Sequence, residues 1–202
     1  MPTAEAAPHF SLPPGSMTQA TAKKELRAAA AAIRAGAHGA GASAAAQALL
    51  RHGIAALGGK PVGAISAYWP MRTEIDPLPL MRALAGPATV LSLPVVVGKG
   101  ALAFRTWVPG EDLAGGPLGT SEPSRGAAVE PDLLLVPLLA FDRRRFRLGY
   151  GAGHYDATLA RLRTLKPILA VGVAFAAQEV PEVPTDPWDE PLDLVLTEEG
   201  PV

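Results

Sequence analysis

From Val62 onward the chain alternates short apolar runs with polar, turn-rich stretches. Val62–Trp69, Thr89–Val97, Ala101–Trp107, Asp132–Pro137, Ile168–Phe175 and Leu192–Leu196 read as strands. Several are apolar at consecutive positions and not only at every second one, the pattern of strands covered on both faces. Between them lie helical stretches. Asp76-Pro77 supplies a cap and a first-turn proline for a short helix ending at Gly86, and Asp156–Arg163 reads as another. The Gly/Pro/Ser-rich stretch Pro109–Arg125 reads as a long loop. Upstream, Lys23–Gly36 (KKELRAAAAAIRAG) is built on the best helix former and stopped by glycine, with Leu26, Ala30 and Ile33 on one face. A second alanine-rich helix follows over Ser43–Leu57. Residues 1–20, with prolines at 2, 8, 13 and 14, have no apolar period and read as a mobile tail, Met17 being an alternative start. The pattern as a whole implies an α/β fold, a single three-layer domain over residues 21–202 with a mostly parallel central sheet.

Composition narrows the function classes. At 202 residues, 49% apolar but only 5% aromatic, the chain can bury a full-sized core that must be aliphatic and alanine-rich. A formal net charge of −1 argues against a dedicated nucleic-acid or membrane-surface protein. The absence of cysteine excludes disulfides, thiolate nucleophiles and cysteine-ligated metals. There is no export signal and no apolar run of the roughly 18 residues a span needs, so a cytoplasmic location is expected. His9, His38 and His52 have no partner in sequence and read as surface residues.

Candidate chemistry concentrates in Phe141–Asp156 (FDRRRFRLGYGAGHYD), where Gly149, Gly151 and Gly153 alternate. Such a loop running into a helix start offers bare N–H groups and a positive dipole end to an anion. Arg147 adds a forked donor suited to phosphate oxygens, whereas Arg143–Arg145 read as solvated loop charges. The spacing is G-x-G-x-G, so neither a P-loop nor a dinucleotide fingerprint is present, and the motifs of a protein kinase are absent. Asp156 reads as a helix cap or, beside a phosphate, as a carboxylate that needs a cation between the two, a role for Mg²⁺. Lys23 and Arg27, four apart, share a helix face, either as a solvated stripe or as a pair that reaches one ligand. On sequence alone Trp69 reads as core, Glu74 as a solvated carboxylate and Asp193 as a turn residue.

The stretch LLLVPLLAFDRRRFRLGYGAGHYDATL resembles the signature of the 5-formyltetrahydrofolate cyclo-ligases, also called methenyltetrahydrofolate synthetases. The resemblance continues in order through KKELR at Lys23–Arg27, YWPMRTEIDP at Tyr68–Pro77, and Phe104–Pro123 with Trp107, Gly110, Leu113 and Glu122-Pro123. It closes with DLVLT at Asp193–Thr197, so that it covers Ala22 to Thr197. It implies a Rossmann-like α/β fold, akin to that of sugar-phosphate isomerases and CoA transferases. The implied reaction is an ATP- and Mg²⁺-dependent cyclisation of 5-formyltetrahydrofolate to 5,10-methenyltetrahydrofolate, with ADP and phosphate released, by a monomer or weak homodimer. By the same resemblance Lys23, Lys24, Glu25, Leu26 and Arg27, with Arg147 and Leu148–Tyr155, would hold ATP, Lys23 and Arg147 acting in catalysis. Asp156 and Asp193 would hold Mg²⁺. Trp69, Glu74 and Tyr150–His154 would bind the folate, Glu74 accepting hydrogen bonds from the pterin. His154 replaces a tyrosine of the usual pattern and Ala152 a glycine or lysine, which bears on folate affinity and its pH dependence. A non-catalytic relative with a retained nucleotide or folate pocket is the alternative, and an isomerase or transferase on a similar fold a third reading.

Overall fold

A computed structural model describes residues 19–59 and 62–202. The expected tail, with His9 and Met17, lies outside them except for Gln19 and Ala20, which already belong to the first helix. That helix, α1 (Gln19–Leu57), is interrupted only at Gly41 (φ 164°, ψ 59°). It therefore runs past Gly36 and Gly39, each costing about 1 kcal/mol of propensity, because Ala37 packs on the main core and His38 lies edge-on to Phe175. His38 is thus half-buried rather than on the surface.

The strands follow the apolar runs but are shorter. They are β1 (Ala64–Ser66), β2 (Val90–Val95), β3 (Ala103–Thr106), β6 (Leu133–Pro137), β9 (Leu169–Val173) and β10 (Leu194–Thr197). Helix α2 (Leu78–Leu84) connects β1 to β2, and the Asp76 carboxylate accepts a hydrogen bond from the Leu78 amide at 2.9 Å. Five short strands escape the sequence pattern because two-residue and three-residue strands carry no period. The expected long loop holds a hairpin, β4 (Leu113–Gly115) with β5 (Ser121–Pro123). Ahead of the glycine loop, β7 (Ala140–Phe141) pairs with β8 (Arg147–Leu148), and β11 (Gly200–Pro201) closes the chain against β10. The Arg143–Arg145 turn between β7 and β8 is tied down, not freely solvated. Arg143 pairs with Glu179, Arg144 bonds the fully buried Asp142, and Arg145 (φ 67°) donates to the Asp193 carbonyl.

The seven-stranded sheet has the order β11-β10-β9-β6-β1-β2-β3, parallel except for β3 and β11 at its edges. Alternate residues of β6 show why its run is apolar throughout. Leu133 and Leu135 join Leu49, Leu80 and Met81 of α1 and α2 on one face, while Leu134 and Val136 join Leu159 and Leu162 of α3 (His154–Leu165) on the other. After β1 the chain builds β2 and β3 on one side and then returns to place β6 on the other. The strand order therefore reverses between β1 and β6, and in open α/β sheets the crevice beyond the carboxyl ends at such a reversal takes ligands. A third cluster, Leu26 and Ala30 with Leu139, Ala140, Leu148, Val180 and Val183, seats the first turns of α1 on the β7–β8 hairpin. That seat lays α1 over the glycine loop.

Candidate active site

A cavity of about 890 Å³ opens at this reversal. It is lined by the chain leaving β1 (Tyr68–Arg72 and Glu74), the ends of β2 and β6 (Pro94, Val96, Pro137), the glycine loop, the start of α3 and the 186–189 turn. Its volume lies at the upper end of the usual range for small-molecule sites.

At one end the cations gather. Lys23 Nζ sits between the carboxylates of Asp186 (2.7 Å) and Asp189 (2.6 Å). Partial burial alone would lower the lysine's pKa, but these two bonds outweigh it and raise it. Arg27 Nε donates to the Gly149 carbonyl at 3.0 Å, and its guanidinium lies so close over Gly151 that a Cβ there would meet it at 3.2 Å. Gly151 (φ 100°) and Gly153 (φ 70°) hold left-handed conformations that let the loop turn into α3. Arg147 is buried, its two terminal nitrogens donating to Asp156 (2.8 Å) and to the Glu190 carbonyl (2.7 Å). Burial pulls its pKa down, with the Asp156 charge opposing.

At the other end stands Glu74, 5% exposed. Its Oε2 accepts from the Met71 amide (2.8 Å) and its Oε1 from the Tyr150 hydroxyl (2.5 Å). Arg34, also buried, donates to the same hydroxyl and lies 3.6 Å from Oε1. Burial pushes the Glu74 pKa up against these bonds, and it pushes Tyr150 up to about 12. Trp69 lines the wall between, edge-on to Trp107 at 5.9 Å. Lys23 and Arg34 are eleven residues apart on α1, so about 16 Å separates the two ends along the helix.

Most residues singled out by sequence meet here: Lys23, Arg27, Trp69, Glu74 and Arg147–Asp156 all line the cavity. Lys24 and Glu25 do not, because they lie on the exposed face of α1, and Leu26 is core. Asp156 is no helix cap. It is the third residue of α3, capped by the Gly153 backbone, and its carboxylate turns to Arg147 and the Glu190 amide. Asp193 is not brought to Asp156. Its carboxylate is held by the Ala170 amide and Arg163 at the opening of β10, outside the cavity lining. The carboxylates that do share the cation end are Asp156, Asp186 and Asp189. The His154 ring faces the Gly100 carbonyl (2.7 Å) at the cavity edge. Sequence reading missed Arg34, although it lies seven residues beyond Arg27 on the same face. It also missed Asp186 and Asp189, whose segment PTDPWDEP has no period to read.

The model of the 5-formyltetrahydrofolate cyclo-ligase family matches residues 19–198. The chain is 31% identical over 157 residues to a 5-formyltetrahydrofolate cyclo-ligase of Haemophilus influenzae, covering 74% of this chain and 83% of that one. It is 36% identical over 131 residues to the same-named protein of Escherichia coli K12, covering 61% and 71%. The NMR structure of Aquifex aeolicus 5,10-methenyltetrahydrofolate synthetase superposes with a TM-score of 0.68 at 30% identity, covering 89% of this chain and 91% of that one. A Mycoplasma pneumoniae 5,10-methenyltetrahydrofolate synthetase, 23% identical, shares the fold with a TM-score of 0.69 over 87% and 98%.

Proposed function

The chain belongs to the 5-formyltetrahydrofolate cyclo-ligase family, and from that premise we propose that it cyclises 5-formyltetrahydrofolate to 5,10-methenyltetrahydrofolate with ATP and Mg²⁺. The observation that carries the reading is one cavity with a buried carboxylate at one end and three cationic side chains over a glycine loop at the other. Glu74 suits the amino and ring N–H donors of a pterin, which a carboxylate binds strongly. Trp69 and the Tyr150–His154 loop give the ring a wall. Lys23, Arg27, Arg147 and the loop amides suit a triphosphate.

The chemistry needs no protein nucleophile. A formamide oxygen leaves poorly, so it first attacks the γ-phosphorus and ADP departs. The substrate's own N10 then closes on the activated carbon, and phosphate leaves with the former formyl oxygen and the proton given up by N10. What the protein supplies is orientation of the two substrates and charge opposite the transferring group. Lys23 and Arg147 fill the second task.

Among the described residues no group of three or more histidine, cysteine or acidic side chains forms a metal site. Mg²⁺ held by one or two carboxylates plus phosphate oxygens needs none, and Asp156 with Asp186 or Asp189 provides the carboxylates. When bound, the metal would neutralise phosphate charge beside those acids. Lys23, released from the same aspartates, would then be free to face the nucleotide. The reading also carries a cytoplasmic location. Among the described residues no helix is long and apolar enough to cross a membrane.

Incubation of the protein with 5-formyltetrahydrofolate and Mg·ATP, followed by the ultraviolet absorbance of the methenyl product, tests the reading. Product should form only when nucleotide and divalent metal are both present. Protein that binds Mg·ATP in a calorimeter yet forms no product at any pH would leave only a non-catalytic relative.

A further inference from the structure

Glu74 is gripped by Tyr150 of the folate wall and, behind it, by Arg34, which the proposed reaction does not use directly. Arg34 comes from α1 and is 3% exposed, an unusual place for a guanidinium. Its Nε donates to Thr73 Oγ1 (3.1 Å) and a terminal nitrogen to the Tyr150 hydroxyl (2.5 Å), which in turn donates its hydrogen bond to Glu74 Oε1 (2.5 Å). The guanidinium also stands 5.6 Å from the centre of the Tyr150 ring. Three segments far apart in sequence thus meet in one chain of hydrogen bonds: α1, the loop after β1 and the glycine loop.

We propose that Arg34 and Tyr150 are positioning residues for Glu74, a cation and a phenol that keep the buried carboxylate ionised and aimed at the pterin. The inference rests on the folate reading of the cavity. A carboxylate in this pocket has lost most of its water, and a neutral acid would offer the pterin a donor where it needs an acceptor. Arg34 supplies the opposing charge from behind, and Tyr150 fixes one oxygen so that remaining lone pairs of the carboxylate face the cavity. The other groups whose charge or potential charge reaches Glu74 are Arg72 of its own loop, Tyr68 at the end of β1 and Tyr155 of α3. Arg72 assists ionisation. Tyr68 and Tyr155 are held neutral by burial well beyond the working range. Burial already raises the Glu74 pKa, while the Tyr150 bond and the Arg34 charge hold it down. Losing either therefore moves protonation of Glu74 to higher pH.

The test is folate affinity as a function of pH, read by direct titration of the protein with 5-formyltetrahydrofolate, with Mg·ADP affinity as the control. Wild type should bind more weakly as pH falls through the Glu74 pKa. Glu74→Gln should flatten that acid limb and weaken binding roughly ten-fold or more. Arg34→Met and Tyr150→Phe should each move the limb upward by about one pH unit, and Arg34→Met, which lies outside the cavity lining, should keep Mg·ADP affinity within two-fold of wild type, a combination that a general loosening of the fold does not produce. Arg34→Lys, which keeps the charge but not the fork, should return the limb part of the way. Tyr150 is 45% exposed, so its phenylalanine variant is expected to fold even if Arg34→Met does not. An unmoved limb in Tyr150→Phe and in any folded Arg34 variant, with Glu74→Gln weakened, overturns this inference alone. Wild type that binds no reduced folate at any pH overturns the functional reading and this inference with it.

Discussion

Asp156 and Arg147, proposed to act on metal and phosphate, also hold each other in the fold. Arg147 is buried and its partner carboxylate is part-exposed, with side-chain exposures of 3% and 26%. Removing the acid strands a desolvated guanidinium, so Asp156→Ala should cost about 3 kcal/mol of folding stability. Asp156→Asn, which can still accept the Arg147 hydrogen bond, should cost about 1 kcal/mol. Both should lower turnover, partly restored by raised Mg²⁺, so chemical denaturation separates the structural from the metal-binding contribution. Arg147→Ala is expected to lower kcat more than ten-fold, about 1.4 kcal/mol or more of transition-state stabilisation, while the folate KM changes little. A purely raised folate KM in that variant would contradict its role at the phosphoryl group.

The elements that matter most are α1 and the glycine loop it covers. Gly53 lies inside α1, where alanine would ordinarily gain about 1 kcal/mol of helix propensity. A Cβ there would stand 2.5 Å from Leu80 Cδ1, 2.6 Å from its Cδ2 and 3.0 Å from Leu196 Cδ2, all in the main core. Overpacking of that kind costs about 1–3 kcal/mol, so Gly53→Ala should lower stability despite its better propensity, as a denaturant midpoint will show. Gly151 is constrained differently, by φ of 100° and by the Arg27 guanidinium above it. Gly151→Ala should leave the core intact, weaken Mg·ATP binding measured by calorimetry and displace Arg27 from the Gly149 carbonyl. Lys23, Arg27 and Arg34 stand at steps of four and seven, one face of a helix; the first two line the cavity, and Arg34 lies behind its Glu74 and Tyr150.

For the molecule as a whole, the cavity exists because the strand order reverses between β1 and β6 and α1 closes over the opening. Lys23 clasps the 186–189 turn to the start of α1, a clasp that Mg·ATP would replace on the proposed reading. Ligand that binds only the folded chain should stabilise it by about 2.7 kcal/mol at a hundred-fold excess over Kd, and Lys23→Ala should require more nucleotide for the same shift in Tm. The sequence by itself determined the layered α/β plan, since doubly apolar runs as short as that of β6, bounded by turn residues and alternating with helical stretches, fit strands covered on both faces. It also determined the cation-and-glycine end of the site, because the glycine loop, Arg147 and Asp156 lie within one short segment whose spacing is local. The hydrogen bonds of Arg34, the entry of Asp186 and Asp189, and the exclusion of Asp193 were decided by tertiary structure alone. Each depends on which way a side chain points once α1 lies over the loop and β10 has joined the sheet. Such long-range placement leaves no periodic trace in the chain, which is why a buried arginine in an alanine-rich helix passes for an ordinary solvent-facing charge.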